Sequence, residues 1–157
     1  MEYTVRAARI TDIDRFVALS GDQIGGRGSG TALDAADMLR QLVYLPHASI
    51  LVAERRREFA GGAVLAIRPS VRAGGYVGTI DLLAIAPGAD ADAVTEVLLA
   101  EALRSAANKG CASIEAARPD DPNERARWEE RGFIDLGPHM GRTLAPAGAG
   151  SRRSRSS

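Results

Sequence analysis

Four groups of side chains in this chain have the types and spacing to do chemistry. Asp81 is a lone carboxylate inside the apolar and β-branched stretch Tyr76 to Ile85. Strict alternation along such a strand puts Thr79, Asp81, Leu83 and Ile85 on one face. A carboxylate beside the apolar Leu83 and Ile85 is expected to keep its proton to higher pH and so to act as a proton acceptor near neutrality. The same residue also reads as a sheet-edge acid bonded to backbone. Asp90 and Asp92 stand just after Pro87-Gly88, where a run with helical spacing begins. Acids there satisfy the free N–H groups of a helix start and complement its dipole. Asn123 and Trp128 lie in a short charged segment; Trp128 offers an indole N–H that donates a hydrogen bond but cannot deliver a proton as a phenol does, and it reads more readily as a ring packing the helix on the sheet. The glycine-rich Gly25 to Gly30, with Arg27 inside it, lacks the preceding strand and the Gly-Lys-Ser/Thr ending of a phosphate-binding P-loop. One thiol, Cys111, and two histidines, His47 and His139, allow no internal disulfide and suggest no metal site.

These groups need a frame to position them. Tyr3 to Ala8 alternates as a strand, and Thr11 with Asp14 three residues later reads as a capping box opening a helix to about Ser20. After the glycine-rich loop, Leu33, Met38, Leu39, Leu42 and Val43 mark a second helix. Ala48 to Ala53 and Phe59 to Ile67, joined by the polar turn at Arg55-Arg56-Arg57-Glu58, form a hairpin, and Tyr76 to Ile85 is the next strand after a loop from Pro69 to Gly75. Val94, Val97, Leu98, Ala102 and Leu103 carry the longest helix from Asp90 to Lys109, closed by Gly110. A short strand follows at Ala112 to Ala116, then a helix from Pro122 to Arg131. A strand starts at Gly132-Phe133-Ile134, and a last one runs from His139 to Leu144. The order βααβββαβαββ predicts an α/β fold with a mixed, mostly antiparallel central sheet of about seven strands and helices on both faces.

Composition bounds the function. The chain has 157 residues with 20 basic and 20 acidic side chains, the size of about one domain. No apolar run approaches the roughly 20 residues of a membrane span. The opening Met1 to Arg6 shows no basic and apolar leader, so the cytoplasm is the expected location. Three of the bases fall in the last seven residues, and without them 17 bases face 20 acids. An acidic body argues against a dedicated nucleic-acid binder.

The strand ending in Ile85-Ala86-Pro87, the Leu98-Leu99 pair in the long helix and the late Gly132-Phe133 resemble the GNAT superfamily of acyl-CoA-dependent N-acetyltransferases, from Tyr3 to about Leu144. The resemblance implies a single domain over residues 1–144, and the composition of 145–157, rich in Ala, Gly and Pro and then in Ser and Arg, reads as a disordered tail. The resemblance also implies acetyl-CoA as cosubstrate, a small-molecule or peptide amine as acceptor, and a homodimer. Asp81 stands two residues past the usual place of the family's base, as the catalytic candidate. The cofactor-binding candidates are Leu83 and Ile85 on the strand, Asp90, Ala91, Asp92, Ala93, Val94 and Thr95 at the diphosphate loop, Asn123 toward the pantetheine arm, and Trp128 where the family has a proton-donating tyrosine.

The loop departs from that pattern. Asp90 replaces an Arg or Gln, Ala91, Ala93 and Thr95 replace glycines, and Asp92 adds a second carboxylate. A carboxylate about 6 Å from a phosphate charge repels it by roughly 3 kcal/mol at an effective dielectric near 20. The loop is thus degenerate, and acyl-CoA binding is expected to be weakened. Besides a different enzyme that reuses the same cleft, two readings follow: an N-acyltransferase working by direct transfer to a primary amine, or a GNAT-fold binding or regulatory protein that no longer binds CoA well. They divide on whether the two carboxylates fold away as caps or fill the notch at the end of the strand.

Overall fold

The computed structural model describes residues 2–20, 32–137 and 142. Among these the order is β1 (Thr4–Ala7), a 3-10 turn (Ile10–Asp12), α1 (Ile13–Leu19), α2 (Ala32–Leu42), β2 (Ala48–Arg55), β3 (Glu58–Ser70), β4 (Gly75–Ile85), α3 (Ala91–Asn108), β5 (Cys111–Ala116) and α4 (Pro122–Glu130). The strands form one sheet in sequence order, antiparallel from β1 to β4 and parallel between β4 and β5. This is the α/β class and mixed sheet expected, with five strands among the described residues where about seven were expected for the chain. Phe133 to Gly137 follow α4 outside any strand, and the strand expected at His139 to Leu144 lies outside the described residues apart from Arg142. Gly21 to Gly30, His139 and the tail lie outside them too.

The sheet is buried on both faces. On one, α3 lays Val94, Leu98, Leu99, Ala102 and Ala106 over Leu51, Ala53, Leu65 and Ile80, with Trp128 of α4 completing the cluster. On the other, Ile13 and Phe16 of α1 and Ala36 and Leu39 of α2 pack on Ile50 and Val64. Gly62 of β3 admits α1 to that face, since a Cβ there would sit 2.2 Å from Phe16 Cε2.

The entry to α1 differs from the expected capping box. Thr11 lies within the 3-10 turn, and Asp12 does the capping: its Oδ2 accepts from the Arg9 N–H at 2.7 Å. Arg6 of β1 grips the same carboxylate with two bonds, Nη1 to Oδ2 at 2.7 Å and Nη2 to Oδ1 at 2.9 Å, and reaches Glu54 of β2 through Nε at 3.0 Å. These bonds hold the Asp12 carboxyl below the usual carboxylate range, against the opposing effect of burial. The β2–β3 hairpin turns through Arg56 and Arg57, both left-handed at φ 53° and 66°.

Candidate functional site

The site begins where two strands part. Parallel pairing of β4 with β5 runs from Tyr76↔Cys111 to Ile80↔Ala116 and stops there, because β5 ends at Ala116 while β4 continues to Ile85. At the point of parting β4 carries a bulge: against β3 the register steps from Leu65↔Ile80 to Val64↔Leu82, leaving Asp81 opposite no residue.

The bulge corrects the expectation of one shared face. With strict alternation Leu83 and Ile85 would lie opposite Ile80. Instead Ile80, Leu83 and Ile85 all pack in the α3 cluster, while Leu82 joins the α1–α2 cluster. Inserting one residue shifts every later side chain to the other face. Asp81 is therefore exposed at the bulge, outside the apolar face formed by Leu83 and Ile85.

Past the strand, the Ala86 N–H bonds Ala60 O at 2.8 Å, and Gly88, at φ 84°, turns the chain into α3. Asp90 is the N-cap: its Oδ1 accepts from the Ala93 N–H at 3.2 Å, and its carbonyl accepts from the Val94 N–H at 2.9 Å. The Asp90 N–H donates to the Tyr3 hydroxyl at 3.1 Å, and Arg55 stacks over the Tyr3 ring at 5.4 Å. Val94 and Thr95 are buried against the sheet. Ala91 and Asp92 are left as the first-turn positions whose N–H groups have no acceptor among the described residues. An anionic group thus finds two backbone donors here, with Ala93 already taken by the cap.

Asp92 does not stand unopposed. Arg127 of α4 donates from Nε to Asp92 Oδ1 at 2.6 Å. Arg131, which closes α4, donates from Nη1 to the Arg127 carbonyl at 2.9 Å and from Nη2 to the Asp92 carbonyl at 3.4 Å, and lies 3.6 Å from Glu96. The Arg131 Nε is buried without an acceptor. Two guanidinium groups therefore offset the acids of the loop. Sequence reading passed over both; their i, i+4 spacing was the available signal that they share a helix face.

The remaining candidates separate. Trp128 is buried, packing edge-to-face on Phe133 with ring centroids 5.0 Å apart at 74°, which is the packing role anticipated as its alternative. Asn123 is exposed near the start of α4, its backbone N–H donating to the cap Asp121 at 3.3 Å. Cys111 is half-buried at the head of β5. Among the described residues no group of three His, Cys, Asp or Glu converges as for a metal ion, and no helix is long and apolar enough to cross a membrane.

Comparison with known proteins agrees with this architecture. A transcriptional regulator from Bacillus halodurans C-125 superposes with a TM-score of 0.77 at 18% identity, over 91% of this chain and all of that one. An aminoglycoside N-acetyltransferase solved with CoA gives a TM-score of 0.74 at 16% identity, over 90% and 93% of the two chains. A Trypanosoma brucei acetyltransferase gives 0.68 at 20% identity, over 91% and 100%. At these identities the likeness speaks for the fold. No curated protein sequence matches the chain. The profile of the Acetyltransferase (GNAT) family matches residues 22–133, well over half of the sequence, and the chain belongs to that family.

Proposed function

We propose that the protein is an N-acyltransferase that moves an acetyl or other acyl group from acyl-CoA to a primary amine by direct transfer. The observation that carries this reading is the parting of β4 from β5 at the Asp81 bulge, from which the open edge of β4 runs on to Ile85 and the chain turns into α3 with the two free N–H groups of Ala91 and Asp92. A thioester arm lying along the open β4 edge would bring its carbonyl near Asp81 and its diphosphate to the start of α3, where backbone donors and the dipole favour an anion. In this reading Asp81, exposed at the bulge, takes a proton from an incoming ammonium. The freed amine attacks the thioester carbonyl and the C–N bond forms; as the C–S bond breaks, the nitrogen sheds its second proton, which water relays to the departing CoA thiolate. The aminoglycoside N-acetyltransferase of the same fold supports a small-molecule amine as acceptor.

A second reading is favoured by a specific observation. Asp90 occupies the Ala93 N–H with its own carboxylate, and Trp128 is buried where the family places a proton donor. A GNAT-fold protein with these changes would serve as a binding or regulatory module. Calorimetric titration with acetyl-CoA and CoA at low and moderate salt separates the two. Saturable binding is expected, followed by thiol release in a panel of primary amines. In that assay Asp81→Asn should lower kcat by about 100-fold or more while acetyl-CoA affinity stays the same. Absence of binding at either salt overturns the acyltransferase reading in favour of the second.

A further inference from the structure

Resting on the acyl-CoA reading, we propose that Arg127 is the cation that engages the diphosphate, and that Asp92 holds it at the site as a displaceable internal counter-ion. The family's loop cation is missing here, since Asp90 stands in its place and is committed to the Ala93 N–H. A positive charge is brought to the first turn of α3 from α4, where Arg127 meets Asp92 at 2.6 Å.

The pair has the character of a reserve, not of a staple. The Asp92 side chain is 74% exposed and that of Arg127 24%, and so open a contact is weak enough to be exchanged. A diphosphate offers more charge and the paired oxygen geometry that a guanidinium fits. Capping does not call for the pair either, because Asp90 already caps α3. Placing Arg127 and Arg131 against the positive end of a helix is unfavourable unless an anion sits among them. In the free protein Asp92 and Glu96 are those anions. Arg131, bonded to the carbonyls of both Arg127 and Asp92, holds the two helices in register for the exchange.

The test is a double-mutant cycle read by calorimetry. Wild type, Asp92→Asn, Arg127→Gln and the double variant are each titrated with CoA and with pantetheine, which lacks the diphosphate. Asp92→Asn is expected to bind CoA about tenfold more tightly, the scale of one charge-assisted hydrogen bond. Arg127→Gln should weaken CoA by about tenfold in both the wild-type and the Asp92→Asn backgrounds, and leave pantetheine unchanged. If Arg127→Gln has no effect once Asp92 is neutral, Arg127 merely screens that acid and the proposal fails. Equal losses for CoA and pantetheine would reduce Arg127 to a tether between helices and also overturn it. No CoA binding by any of the four proteins would instead sink the acyl-CoA reading on which the proposal stands.

Discussion

Two helix starts in this protein are each governed by an aspartate and an arginine from a neighbouring element, and they do opposite things. Before α1, the Asp12 side chain is 8% exposed, gripped twice by Arg6 and once by the Arg9 N–H, with Arg6 itself anchored on Glu54. At α3, Asp92 is largely exposed and held by a single bond to Arg127. The ion pair is chemically the same. Burial and the number of bonds decide the difference, since a buried pair that loses one member leaves an uncompensated charge whereas an exposed pair is nearly free to open. The first is architecture that joins β1, β2 and α1; the second is a contact that a ligand can take over.

Breaking each aspartate tests this contrast directly. Asp12→Asn is expected to cost about 3 kcal/mol in chemical denaturation, because it leaves Arg6 half-buried with one acid fewer. The same group sets an acid limit. Its folded pKa lies below the unfolded value near 3.9, so its stabilisation is present above that value and drains away as pH falls toward the folded pKa. Wild type should therefore lose stability below about pH 4 more steeply than Asp12→Asn. A somewhat smaller loss is expected on the same side of the sheet. Gly62→Ala would drive a Cβ into the Phe16 ring and should cost about 1–3 kcal/mol through displacement of α1, visible as a lower Tm. Asp92→Asn should change folding stability by less than about 1 kcal/mol. A cost there equal to that at Asp12 would erase the distinction between the two helix starts.

Much of the frame was legible beforehand because it follows from local rules. The hairpin at Arg55 to Glu58, the long helix capped by Asp90 and closed by Gly110, and the mostly antiparallel sheet all match. What escaped was non-local. Period-two reading assumes an unbroken strand, and nothing in Thr79-Ile80-Asp81-Leu82 announces the bulge that moves Leu83 and Ile85 to the α3 face. Thr11 is the better N-cap by residue type, yet it lies inside the 3-10 turn, where the Asp12 carboxylate reaches back to the Arg9 N–H and is gripped by Arg6. Counting charges in the loop led to an expectation of weakened anion binding, and the partner that meets Asp92, Arg127, lies 35 positions away. Phe133 fits a strand by composition but instead seats its ring on Trp128.

The placement of the notch also bears on how the chain assembles. Strands β1 to β4 meet their neighbours in antiparallel pairs, and both β2–β3 and β3–β4 close through short turns. Strand β5 reaches β4 only in parallel, after the chain has passed through the whole of α3. Parallel crossovers carry the entropy of a long loop closure before any contact rewards it. The seam between β4 and β5 is thus the parallel pairing among the described strands, less stable per residue than its antiparallel neighbours, and the candidate cleft opens at the end of that seam. A destabilised variant would be expected to open there early, so the wall of the cleft is also the natural hinge of local unfolding.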